Sequence, residues 1–113
     1  MKLAIIGSRG FNDYELVKKV LSDYKEKVTL VISGGAKGAD TLGEKWANDN
    51  NIKTLIYPAE WDKYGKKAGH IRNTDIINSC DFCIAFWDGK STGTQDSIKK
   101  AKQMNKEVLI VTY

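Results

Sequence analysis

The chain has 113 residues, 42% of them apolar and 10% aromatic, with 18 Lys and Arg against 14 Asp and Glu for a net charge of +4. That length fits one hydrophobic core, so residues 1–113 read as a single domain. No apolar run approaches the roughly 20 residues that cross a bilayer, and the dispersed lysines form none of the basic stripes that mark nucleic-acid binding.

Met1-Lys2-Leu3-Ala4-Ile5-Ile6 opens the chain and ends in Gly7 without a signal peptide's cleavage region, so a cytosolic protein is expected. Leu3 to Ile6 is a continuous apolar run and predicts a strand buried on both faces. Asp13 can cap a helix in which Leu16, Val17, Val20, Leu21 and Tyr24 recur at helical spacing. Val28 to Ile32 is a second strand. Ala39, Leu42, Trp46 and Ala47 form the apolar stripe of a second helix, closed by Asn48-Asp49-Asn50-Asn51. Ile52 to Tyr57 is a third strand, stopped by Pro58. Ala59 to Ala68 is a long connection that carries Trp61, Tyr64 and Gly65. A third helix is expected from about Gly69 to Ser79, with Ile76, Ile77 and Cys80 turned inward. Asp81 to Trp87 is a fourth strand, Gly93 to Met104 a fourth helix, and Glu107 to Thr112 a fifth strand.

Strands alternating with helices at this spacing call for right-handed crossovers. The expected fold is an α/β three-layer sandwich: a five-stranded parallel sheet in the order 3-2-1-4-5 with helices on both faces. Three glycine turns end its strands: Gly7-Ser8-Arg9-Gly10, Ser33-Gly34-Gly35-Ala36-Lys37-Gly38-Ala39-Asp40 and Asp88-Gly89-Lys90-Ser91-Thr92-Gly93-Thr94. All three fall on one edge of such a sheet, around the point between strands 1 and 4 where the order reverses. Unpaired N–H groups and helix N-termini there make an anion site.

Several familiar sites are excluded. Gly89-Lys90-Ser91 imitates the end of a P-loop, but Ile84 stands where that loop needs its first glycine. The first turn lacks the G-x-G-x-x-G spacing of a dinucleotide fingerprint. Cys80 and Cys83 form a lone C-x-x-C with a single histidine, His70, in the whole chain, too few ligands for zinc. They read as structural cysteines, His70 reads as a helix-end or loop residue, and neither a metal nor a cofactor is expected.

The remaining candidates have two readings each. Ser8 and Arg9 offer N–H groups, a hydroxyl and a guanidinium shaped for phosphate, or Arg9 pairs with a surface carboxylate. Gly34, Gly35 and Gly38, with Ser33, allow a backbone to approach a ligand closely. Asp40 either caps the second helix or accepts bonds from a ribose hydroxyl. Ser91, Thr92, Gly93 and Thr94 either hold an anion at the fourth helix or simply cap it. Trp61, Tyr64 and Trp87 either pack or provide a wall for a base, and Trp87 is the preferred wall because it ends the fourth strand beside the switch point.

Gly7-Ser8-Arg9, the Ser33–Asp40 turn, Tyr57-Pro58-Ala59-Glu60-Trp61, Ala68-Gly69 with Arg72-Asn73, and Ser91-Thr92-Gly93-Thr94 occur in that order. The ordered set, covering nearly the whole chain, resembles the SLOG superfamily of Rossmann-like nucleotide-binding proteins. That superfamily includes the Smf/DprA DNA-processing proteins and the LOG phosphoribohydrolases, and the chain is most similar to its short YspA-like, CpYpsA-related branch. The resemblance implies a ligand with a ribose and phosphate, such as an ADP-ribose-like molecule or a nucleotide second messenger. It implies a sensor or sequestering role of the kind proposed in bacterial conflict systems and phage-type genomes.

A phosphoribohydrolase is the alternative, with Arg72 and Asp96 in the working roles. LOG-type enzymes place a glutamate where this chain has Ser97, a substitution that favours binding over turnover. DNA binding in the manner of DprA is a third reading, disfavoured by the dispersed lysines. The partner expected is therefore a nucleotide-type small molecule, with neither nucleic acid nor membrane. An open cleft in so short a chain also leaves room for a second copy to complete the site.

Overall fold

A computed structural model describes residues 1–113. Five strands, β1 (Lys2–Gly7), β2 (Leu30–Ser33), β3 (Lys53–Ile56), β4 (Phe82–Trp87) and β5 (Glu107–Thr112), alternate with helices α1 (Tyr14–Leu21), α2 (Ala39–Asp49), α3 (Trp61–Tyr64), α4 (Ala68–Ser79) and α5 (Thr92–Gln103). Short 3-10 turns at Ser22–Tyr24 and Gly65–Lys67 follow α1 and α3. All strand pairs are parallel and the order is β3-β2-β1-β4-β5, as the sequence predicts.

The central strand shows why its sequence is continuously apolar. Leu3 and Ile5 face one core with Val17 and Leu21 of α1 and Trp46 and Ala47 of α2. Ala4 and Ile6 face a second core with Ile76 and Ile77 of α4 and Ile98 and Ala101 of α5. Both faces are thus covered, as parallel sheets require. Cys80 and Cys83 are free thiols buried in the second core. Burial pushes the Cys83 thiol far up and raises that of Cys80 as well.

Local chemistry sets the ends. Asp13 caps α1 by accepting from the Leu16 N–H at 3.1 Å, and Ser91 caps α5 by accepting from the Thr94 N–H at 3.4 Å. Gly43 lets α2 lie against β1, since a Cβ there would stand 2.8 Å from Cγ2 of Ile5. The structure departs from expectation around strand 3. This strand is shorter than Ile52 to Tyr57, and all its residues are exposed, because it forms a sheet edge. The connection after it is not irregular throughout: Trp61–Tyr64 makes one helical turn, and α4 begins at Ala68.

Candidate ligand-binding cleft

The ends of β1 and β4 send their chains to opposite faces of the sheet, and a cleft of about 630 Å3 opens there. Its walls come from Ser8 to Gly10 after β1, from Asp88 and Lys90 to Thr94 after β4, and from Gly69, His70, Arg72 and Asn73 on α4. Trp61 and Lys66 close it on the side of the β3 connection.

Ser8 organises the floor. Its N–H donates to the Phe86 carbonyl at 3.0 Å, its Oγ accepts from the Asp88 N–H at 3.2 Å, and its carbonyl accepts from the N–H groups of Phe11 and Ala39. Its polar atoms therefore hold the three loops together, and the side chain is buried. Asp88 arranges the β4 loop by accepting from the N–H groups of Lys90 and Ser91, both at 2.8 Å. Those bonds hold its carboxyl below the usual carboxylate range. Thr92 and Gly93 are exposed and present first-turn N–H groups that helix geometry leaves unpaired.

The second glycine turn plays a different part from the one its sequence predicts. Ser33, Gly34, Gly35 and Gly38 stay off the cleft wall, and only Ala36 and Asp40 of that turn reach it. Asp40 Oδ2 accepts from the N–H groups of Gly34 (3.1 Å) and Ala36 (3.3 Å), while Arg72 Nη1 donates to the Gly34 carbonyl at 3.0 Å. A Cβ on Gly34 would stand 2.6 Å from that guanidinium nitrogen. Gly38 has φ +86° and lies against the Ser8 and Arg9 carbonyls, where any side chain would collide. These glycines bring loops close to one another behind the cleft. Ser33 likewise points to Glu44, donating to Oε2 at 2.8 Å.

Asp40 is therefore a loop tie before it is anything else. Burial raises its carboxyl to about 6, although the N–H groups of Ala36 and Gly34 and the nearby Arg72 charge pull the other way. Arg72 lines the cleft, and its Nε is buried without a partner. Arg9 also lines the cleft, is exposed and forms no ion pair.

Two aromatic expectations exchange places. Trp87 does not line the cleft: its Nε1 donates to the Ser91 carbonyl at 3.1 Å, and it lines a separate groove with Lys99 and Lys102. Strand alternation explains this, since Phe86 faces the first core and Trp87 the second. Trp61 is the tryptophan in the cleft, 52% exposed, with Gly69 beside its ring. Asp96 also lies off the cleft wall, whereas the buried Ser97 is on it. Asp96 Oδ2 accepts from Lys100 Nζ (2.7 Å) and Asn73 Nδ2 (3.2 Å), and His70 Nδ1 lies 3.2 Å from it. Burial would raise its carboxyl, but these bonds outweigh it and hold the group below its ordinary range.

Sequence reasoning passes over His70, whose partner Asp96 sits on another helix. It also leaves out Lys66 and Lys90, which only the folded loops bring to the cleft. Arg9, Arg72, Asn73, Gly7, Ser8 and Ser91 to Thr94 do line it together.

Comparisons with known proteins agree with this architecture. The profile of the YspA, cpYpsA-related SLOG family (YAcAr) matches residues 1–64. The Gene 61 protein of Mycobacterium phage D29 is 32% identical over 111 residues, covering 90% of this chain and 89% of that one. Among solved structures, the fold is similar to that of DNA processing protein A (DprA) from Streptococcus pneumoniae. The TM-score is 0.78 at 23% identity, covering 96% of this chain and 49% of that one. DprA from Helicobacter pylori, described for its single-stranded DNA binding mode, gives a TM-score of 0.73 at 22% identity. That match covers 97% of this chain and 64% of the Helicobacter protein. The chain thus spans from about half to just under two thirds of these structures, and at such identities the likeness concerns the fold. With the profile covering the first three strands and the connections that follow them, and the phage relative nearly the full length, the chain belongs to the YspA, cpYpsA-related SLOG family.

Proposed function

We propose that the protein binds a nucleotide-derived small molecule, with its phosphate between Arg9, Arg72 and the first turn of α5 and its base against Trp61. It acts as a sensor or sequestering protein for that ligand. The observation that carries this reading is the convergence of two guanidinium groups and an open helix N-terminus on one cleft. The cleft has the volume of a small-molecule site. Four cationic side chains (Arg9, Lys66, Arg72, Lys90) line it against two acidic ones, Asp40 and Asp88. Arg72 gives only Nη1 to a protein partner, the Gly34 carbonyl, so its guanidinium on the cleft wall keeps donor capacity for a ligand oxygen.

Titration calorimetry with nucleoside monophosphates and ADP-ribose tests this, alongside mass spectrometry of small molecules that co-purify. Arg9→Ala should weaken binding by about 1–3 kcal/mol with stability unchanged, since Arg9 is exposed and makes no ion pair. Thr94→Ala should weaken binding similarly but also lower stability, because Thr94 is buried and its Oγ1 meets Ser91 Oγ at 3.1 Å. Absence of any nucleotide binding, with no nucleotide co-purifying, overturns the reading.

Single-stranded DNA is the second reading, favoured by the DprA-like fold and by Lys99 and Lys102 on the neighbouring groove, which shares Thr92 with the cleft. A DNA-binding protein would show log affinity falling steeply with log salt, with a slope of about 0.7 per phosphate contacted. A hydrolase built on Arg72 and Asp96 has only the arginine in the cleft.

A further inference from the structure

We propose that His70 reads a ribose hydroxyl of the ligand, with Asp96 as its positioning residue. This rests on the nucleotide reading above and assigns the part of the ligand between base and phosphate. The first turn of α4 runs between the two ends of that ligand. Gly69 lies beside the Trp61 ring, a Cβ there standing 3.5 Å from Cη2. Asn73, one turn later, donates from Nδ2 to the Gly93 carbonyl at 3.4 Å, at the α5 terminus. His70 stands between them on the cleft wall, its side chain 67% exposed. A nucleotide stacked on Trp61 with its phosphate at α5 places its sugar at His70.

The hydrogen bonds decide what His70 offers there. Asp96 Oδ2 accepts from Lys100 and Asn73, and His70 Nδ1 stands 3.2 Å from the same oxygen. A carboxylate only accepts, so the proton of the neutral imidazole resides on Nδ1, and Nε2 is left as an acceptor. Because Nδ1 is turned to Asp96, away from the cleft, Nε2 is the ring nitrogen that remains for a ligand. An acceptor on this wall suits a sugar hydroxyl and not a phosphate oxygen. Asp40, which also lines the cleft, spends its Oδ2 on the Gly34 and Ala36 N–H groups.

The test is calorimetry in alkaline buffer, where imidazoles are neutral, with common ribonucleoside 5′-monophosphates and their 2′- and 3′-deoxy forms. One deoxy form should bind the unmodified protein about five- to twenty-fold more weakly than its ribonucleotide, the loss of one hydrogen bond. His70→Leu should bring the ribonucleotide down to that level and erase the difference. His70→Gln, which keeps an acceptor, should retain part of it. Asp96→Ala should narrow the difference by freeing the ring, and pyrophosphate should bind the unmodified protein and both His70 variants equally. Equal binding of ribo and both deoxy forms, or full discrimination in His70→Leu, overturns the assignment while leaving the nucleotide reading intact. Failure of the unmodified protein to bind any nucleotide or pyrophosphate overturns both.

Discussion

Asp40 is the one carboxyl raised while Asp49, Asp81, Asp88 and Asp96 are all held low. Its folded value of about 6 lies above that of an unfolded chain, so the native state holds this proton more tightly. The stability it contributes is full at acid pH, declines as pH rises from about 4 to about 6, and is lost above that. The four lowered carboxyls act in the opposite sense, so the informative quantity is a difference between variants. Asp40→Asn keeps an acceptor for the Gly34 and Ala36 N–H groups and removes the titration. Its stability relative to the unmodified protein should improve by about 2–3 kcal/mol between pH 4 and pH 7, measured by urea unfolding. A difference that does not change with pH would show that burial of this charge is not costly.

At the scale of elements, two helical glycines make a matched pair of tests. Gly43 on α2 sits on Ile5, with an added Cβ 2.8–3.0 Å from three of its carbons, including Cβ, which cannot swing aside. Gly93 at the start of α5 has nothing within 4 Å. Alanine is the better helix former by about 1 kcal/mol at either place. At Gly43 the overlap wins, and Gly43→Ala should destabilise by about 1–3 kcal/mol. Gly93→Ala should be neutral or slightly stabilising in the same unfolding assay. Equal effects would mean that the α2–β1 contact is loose.

These elements also show what a sequence carries. The order of strands was readable because Leu3–Ile6 and Phe82–Trp87 have no polar face, which only the middle of a parallel sheet tolerates. The edge position of β3 was not, because Leu55 and Ile56 are apolar and yet exposed. The loops of the cleft were readable from their glycines, but the role of Gly34 and Gly38 was not, since Arg72 and Ser8 approach them only in the folded chain. Trp61 and Trp87 exchanged places because the alternation of side chains at the end of β4 decides which core Trp87 enters. His70 was missed because its partner stands 26 positions later, on the facing helix.

For the molecule as a whole, the position of β1 has a consequence for how the chain comes to be folded. It is the centre of the sheet, and both its neighbours follow it in the sequence: Lys2 pairs with Leu30, but Leu3 pairs with Phe82 on the other side. Synthesis at about 5–20 residues per second therefore leaves one edge of the most apolar strand uncovered for several seconds. Every pairing is also non-local, which makes nucleation slow. A nascent chain arrested before Phe82 should be digested by protease as readily as an unfolded one, whereas release of the full chain should bring protection in a single step. The residues that bury the sheet's centre are thus an aggregation hazard during translation, and the ribosome or a chaperone must shield Leu3–Ile6 until β4 has emerged.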